Sequence, residues 1–184
     1  PNIVVLMTDD MRADDLRFMP ATRLLVGDAG VRFATSFSPY PLCCPARASV
    51  LTGRYAHNHG VLDVVPPYAF PSFDDSSTLA TWLDEAGYRT IYLGKYLNGY
   101  GYLPEPGATS GTSLTYVPPG WDDWRASIDA GLPWWHASYG STYQYFNTTL
   151  SNGRGGFTRY QGRYQTRVYG DLAARALARA ARRD

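Results

Sequence analysis

Cys43-Cys44-Pro45-Ala46-Arg47, continuing through Ala48-Ser49-Val50-Leu51-Thr52-Gly53-Arg54, brings a thiol, a proline and a guanidinium close together in the chain. Pro45 suits the first position of a helix, where a missing N–H costs nothing, and Gly53 suits the left-handed residue that ends one. A cysteine just ahead of such a helix lies where backbone N–H groups and the helix dipole favour an anion. Arg47, one turn in, adds a planar donor fork matched to a tetrahedral oxyanion. The segment reads as an anion-reacting site with a cysteine at its centre. A free cysteine is often only a small buried apolar residue, and a bond between adjacent cysteines needs rare geometry. Neither alternative accounts for the proline, the arginine and the Leu-Thr-Gly ending together.

Three further groups carry chemistry. Asp9 and Asp10 are adjacent carboxylates that repel each other unless a cation neutralises them, and oxygen ligands select hard metals such as Ca²⁺ or Mg²⁺. An exposed, solvated pair is the plain alternative. A phosphoacceptor receiver domain is another, but it needs an Asp at a later strand end with a lysine beyond it, and here the lysine arrives too early. That residue, Lys95, is the single lysine of a chain with sixteen arginines. His57 and His59 straddle Asn58. Paired histidines can bind zinc, yet no third soft ligand has an obvious place, and loop hydrogen bonding is the simpler role.

Cys-x-Pro-x-Arg followed by Leu-Thr-Gly-Arg resembles the signature of the formylglycine-dependent sulfatases, in which the first cysteine is oxidised to an aldehyde. The spacing to Pro45 and Arg47 designates Cys43, not Cys44. The resemblance extends through Arg54-Tyr55-Ala56-His57-Asn58-His59-Gly60, Leu93-Gly94-Lys95-Tyr96-Leu97-Asn98, Pro118-Pro119-Gly120-Trp121 and the Tyr-rich stretch to Leu150. Within the family it is nearest to N-acetylglucosamine-6-sulfatases and related bacterial sulfatases.

The resemblance implies an α/β fold of the alkaline-phosphatase-like type, a mainly parallel sheet flanked by helices. It implies Ca²⁺ before Mg²⁺, held by Asp9, Asp10 and the modified Cys43, and a formylglycine-generating enzyme as maturation partner. The aldehyde hydrate attacks the sulfur of a sulfate monoester, the alcohol leaves, and the second hydroxyl then expels sulfate. Arg47 and Lys95 bind the sulfate oxygens. Many relatives carry a histidine two residues after this lysine. Leu97 stands there in this chain, so Asn98, His57 and His59 are the remaining candidates for contacts on the substrate side. A sulfated sugar or glycan is the implied substrate. The alternatives are a phosphonate or phosphate ester hydrolase of the same superfamily, and a non-catalytic binder of anionic glycans using Trp134, Trp135 and the arginine-rich tail.

The elements that must position these residues can be read from the pattern. Ile3–Met7 is a continuous apolar run suited to a strand buried on both faces, ending at Asp9-Asp10. Residues 20–28 read as a helix with Leu24 and Leu25 inward, and 31–37 as a strand. Ser77 offers an N-cap to a helix closed by Gly87, and residues 89–93 form a strand ending at Gly94-Lys95. Alternating strands and helices imply a parallel α/β sheet with its site beyond the carboxyl ends of the strands. From 100 to 140 the chain reads as a long aromatic loop. Residues 143–150 form a strand meeting a turn at Ser151-Asn152-Gly153. Residues 165–183 form a helix with Val168, Leu172 and Ala176 on one face, and with Asp171 spaced to pair with Arg167 and Arg175. Asn147-Thr148-Thr149 is a glycosylation sequon that can arise by chance.

The 184 residues are 45% hydrophobic with a net charge of +1, a globular composition that argues against a general nucleic-acid binder. No apolar run of about 20 residues marks a membrane span. The chain opens directly on Pro1-Asn2-Ile3, as expected either of a processed protein or of a fragment, and export is what the resemblance implies. Because the family's later metal ligands, histidine and lysine cannot be assigned, residues 1–184 are expected to be the amino-terminal part of a sulfatase catalytic domain, inactive alone.

Overall fold

The computed structural model describes residues 1–129 and 139–181. It divides into two compact units, Pro1–Ser38 and Pro39–Asp184.

In the first unit the expected strand at Ile3–Met7 does not form. The segment is irregular and exposed, Leu6 at 76%. A strand exists only through a neighbour's hydrogen bonds, and among the described residues none pairs with this one. The strand expected at 31–37 is likewise irregular, with Phe33 and Phe37 exposed. A 3₁₀ turn spans Ala13–Phe18. Helix α1 (Pro20–Thr22) starts on its proline and widens into a π turn over Arg23–Gly27. The wider turn falls within the predicted helix, but Leu24 and Leu25 are exposed rather than inward.

In the second unit the elements are α2 (Cys43–Thr52), α3 (Ala56–His59), a 3₁₀ turn at Phe70–Ser72, α4 (Leu79–Glu85), β1 (Ile91–Lys95), β2 (Asp123–Ser127), β3 (Asn147–Ser151), β4 (Phe157–Gln161) and α5 (Gln165–Ala180). Gly53 ends α2 at φ +66, the left-handed conformation expected of it. The cap of α4 is Thr78, not Ser77: Thr78 N donates to Thr81 Oγ1 at 2.9 Å. Ser77 Oγ instead accepts from Trp82 Nε1 at 3.0 Å.

The sheet runs β1-β2-β3-β4. Only β1 and β2 are parallel, in register Tyr92 to Trp124; the other pairs are antiparallel. The described sheet is therefore mixed rather than mainly parallel. The strands expected at Ile3–Met7 and 31–37 do not form, which leaves the antiparallel pairs in the majority; β2 itself sits inside the stretch read as a loop. Its Asp123-Trp124-Arg125-Ala126-Ser127 sequence is short, charged and flanked by Pro and Gly, which hides the alternation that burial reveals: Trp124 and Ala126 face one core. β3 and β4 form the anticipated hairpin. Its turn is tied by Asn152 Oδ1, which accepts from Arg154 N and Gly156 N, both at 2.9 Å.

Two apolar cores cover the two faces of the sheet. On one, Cys44, Ala48 and Leu51 of α2 meet Phe70, Tyr96, Leu97, Tyr100 and Trp124. Rings there pack edge-on or stacked, with Tyr92 and Trp124 centroids 4.8 Å apart, and Trp124 Nε1 donates to Tyr100 Oη at 2.7 Å. Such pairs contribute about 0.5–1.5 kcal/mol each beyond area burial. On the other face, Val168 and Leu172 of α5 pack on Leu150, as the helical periodicity predicted. Asp171 pairs not with Arg167 or Arg175 but with Arg163 at 2.7 Å, because Arg163 in the preceding turn reaches down the helix. Both groups are half-exposed, so the pair adds little.

Gly120, between the aromatic loop and β2, has φ +83, and a Cβ there would lie 2.5 Å from the backbone nitrogen of Thr81. Gly120→Ala is expected to cost about 2–4 kcal/mol through the left-handed backbone and the clash together. Urea unfolding of the two proteins measures it.

Candidate active site

Helix α2 opens at Cys43, so the residue expected ahead of the helix is its first residue and Pro45 its third. The first backbone bond back is Ala46 N to Leu42 O at 2.9 Å. Pro45 has no N–H, and Leu42 supplies no side-chain cap. The opening turn thus keeps the character of an anion-facing helix end.

The two cysteines differ sharply. Neither forms a disulfide; Cys43 is half-buried and Cys44 wholly buried. Cys44 sits in the aromatic core with its thiol directed at the Asn98 carbonyl, 3.9 Å away. Burial, above all, pushes that thiol up to about 12. A buried thiol of this kind is inert.

Arg47 is buried, and its Nη1 donates to the carbonyl of Lys95 at 2.7 Å. The Tyr92 phenol donates to the same carbonyl. Burial holds the Tyr92 phenol up at about 12, so it remains a donor. The end of β1 is thereby bound to α2, and Arg47 and Lys95 are brought together.

The Lys95 ammonium lies 5.2 Å from the centre of the Tyr143 ring. Asn98, also buried, donates through Nδ2 to Tyr143 Oη at 2.7 Å. Leu97 is 1% exposed and belongs to the aromatic core, so its side chain is closed off from a substrate.

The two histidines separate. His57 is exposed and stacks on Tyr55, ring centres 5.8 Å apart. His59 is buried. Its Nδ1 accepts from Val61 N at 3.2 Å, and its Nε2 lies 3.0 Å from Ser49 Oγ. Burial is the main cause that holds His59 below its ordinary pKa, so the ring is neutral at pH 7. With Nδ1 accepting, Nε2 carries the proton and donates to Ser49, which makes His59 a brace for α2.

In the other unit Asp9 and Asp10 are exposed, and Asp10 has a positive φ of +51. Two adjacent carboxylates are a hard, oxygen-only donor set, which fits calcium or magnesium and not a soft metal. Trp134, Trp135, Arg182 and Arg183 lie outside the described residues. Asn147, the sequon asparagine, is engaged at both ends of its amide: Nδ2 donates to Gln144 Oε1 and Oδ1 accepts from Arg159 Nε.

Sequence reasoning missed Tyr92, Tyr143 and Asp129. Asp129 is buried, and its Oδ2 accepts from Gly99 N at 2.8 Å, closing the turn after Asn98. Tyr143 is one of 15 tyrosines, and nothing local marks it.

A family model described as sulfatase matches residues 1–128. The chain is 40% identical over 133 residues to the extracellular sulfatase SULF-1 homolog of Drosophila melanogaster, covering 70% of this chain and 11% of that protein. It is 36% identical over 142 residues to human N-acetylglucosamine-6-sulfatase, covering 68% and 23%. It is 30% identical over 182 residues to the arylsulfatase of Volvox carteri, covering 94% and 25%. The chain thus spans between 11% and 25% of the length of these relatives.

Cys44 at a pKa of about 12 carries roughly a thousandth of the thiolate of an ordinary cysteine at pH 8. In protein produced without maturation, iodoacetamide at pH 8 is expected to label Cys43 and to leave Cys44 untouched until the chain is unfolded. Peptide mapping of the alkylated protein reads both sites.

Proposed function

The chain belongs to the sulfatase family, and on that premise we propose that it is the amino-terminal part of a catalytic domain that hydrolyses sulfate monoesters with residue 43 as nucleophile. The observation that carries the reading is the contrast between neighbours: Cys43 opens α2 half-exposed, while Cys44 is sealed in the core with its thiol out of reach of base.

Conversion of Cys43 to the formylglycine hydrate supplies two hydroxyls on one carbon, one to attack sulfur and one to release sulfate afterwards. Serine or cysteine lacks the second. A hard divalent cation, calcium before magnesium, would supply positive charge for a developing oxyanion and would acidify a hydroxyl. Asp9, Asp10 and residue 43 are the residues that would hold it.

The remaining chemistry belongs to the chain itself. The first turn of α2 presents its dipole where negative charge develops. Arg47 is held by the Lys95 carbonyl and so meets the oxyanion pre-oriented, without reorganisation during the reaction. Lys95 adds a second cation at the end of β1. His59 keeps α2 in place through Ser49.

The substrate we assign is a sulfate ester on a sugar, since relatives at this level of identity include N-acetylglucosamine-6-sulfatase. We propose export as well, supported by a relative named an extracellular sulfatase. Among the described residues no helix is long and apolar enough to cross a membrane. Maturation by a formylglycine-generating enzyme is part of the same proposal.

In the complete protein, Cys43→Ala is expected to lower kcat on an aryl sulfate by at least about 10³-fold, the scale of losing a nucleophile. Cys44→Ala should keep most of it. Chelation should abolish turnover and calcium should restore it, while the 184-residue chain alone should show none. Undiminished turnover by the Cys43→Ala protein contradicts the reading.

A further inference from the structure

Lys95 is the last residue of β1, and a long flexible side chain there has no intrinsic preferred direction. In this fold its ammonium lies over a ring, 5.2 Å from the centre of Tyr143. The attraction of a cation to the electron-rich face of an aromatic ring, together with a hydrogen bond between Lys95 and the Tyr143 phenol, orients it. Tyr143 is 51% exposed, which leaves it room to move unless its tip is held. Asn98 holds it, donating from Nδ2 to the phenol oxygen at 2.7 Å.

Asn98 is itself anchored. Its carbonyl receives the Cys44 thiol, the next backbone nitrogen donates to Asp129, and the residue is 6% exposed. Its Oδ1 is buried with no hydrogen-bond partner among the described residues. An orphaned buried acceptor is costly, so the amide is not arranged for its own satisfaction. It is oriented by its bond to Tyr143. Burial, with Asp129 adding to it, keeps the Tyr143 phenol protonated, near 12.

We infer that Tyr143 is a positioning residue for the sulfate-binding lysine: its ring, pinned by Asn98, orients the Lys95 ammonium toward the ester's oxygens. The inference rests on the function proposed above and extends it to a residue that carries no sequence signal. It gives Asn98 an indirect role, through Tyr143, in place of the direct substrate contact considered from sequence.

The test uses the complete protein and an aryl sulfate, with wild type, Tyr143→Phe, Tyr143→Leu, Lys95→Ala and the Lys95→Ala/Tyr143→Leu double variant. Tyr143→Leu should raise KM about tenfold, the upper range of a partly desolvated cation–π contact, with a smaller change in kcat. Tyr143→Phe keeps the ring but loses the phenol oxygen that Asn98 holds, so its KM should fall between those of wild type and Tyr143→Leu. On the Lys95→Ala background the leucine change should add nothing. A graded series of fluorinated phenylalanines at position 143, each compared with Tyr143→Phe, keeps the shape while draining the ring face, so KM should climb with each fluorine whether or not the leucine variant folds. A flat fluorine series, or a leucine effect undiminished without Lys95, overturns the inference and leaves the sulfatase reading standing. Wild-type kinetics in Lys95→Ala would instead remove Lys95 from the site, and the inference with it.

Discussion

One backbone carbonyl organises the candidate site. The oxygen of Lys95 accepts from the Arg47 guanidinium and from the Tyr92 phenol, joining the carboxyl end of β1 to the signature helix. A charge-assisted bond of this kind contributes about 1.5–3 kcal/mol. Its greater effect is geometric: Arg47 cannot swing toward solvent, and the lysine following Gly94 leaves the strand at a defined place. Tyr92 adds the link to the aromatic core, stacking on Trp124 across the parallel β1–β2 pair. Arg47 and Lys95 are therefore supported by a helix and a strand, whereas Asp9, Asp10, Asn98 and Tyr143 lie on turns and bends.

From that anchor the division of labour between the adjacent cysteines follows. On a helix, neighbouring residues point about 100° apart, so a helix packed on a core turns one of two consecutive side chains inward. Cys44 takes the inward position among Ala48, Leu51, Tyr96 and Leu97, and Cys43 takes the open one. The thiol of Cys44 reaching the Asn98 carbonyl connects the helix to the turn that holds Asn98 and Asp129. A side chain that does no chemistry thus helps to position those that do.

The parts of this arrangement that could be read from sequence are those with local causes. Gly53 at the end of α2, the Val168-Leu172-Ala176 face of α5 and the hairpin at Asn152 each depend on a turn conformation or a period. The choice of Cys43 depended on its spacing to Pro45 and Arg47. What was not legible depends on partners distant in the chain. Ile3–Met7 has the composition of a buried strand yet forms none, because composition cannot supply a neighbour. β2 was hidden in a Pro- and Gly-rich stretch because its pairing with β1 decides its conformation. Tyr143 comes to Lys95 across 48 residues, and no motif encodes that approach. His59 illustrates a milder case: its residue type allowed catalysis or support, and only the bonds to Ser49 and Val61 distinguish the two.

The account stands or falls on what residue 43 becomes. Peptide mass spectrometry across residues 33–47 of the complete protein, purified from a host with the maturation machinery, reads the two cysteines separately. The account predicts a carbonyl in place of the thiol at Cys43, reactive toward a hydrazide, beside an unaltered Cys44. An intact thiol at Cys43 in protein that turns over sulfate esters would contradict it.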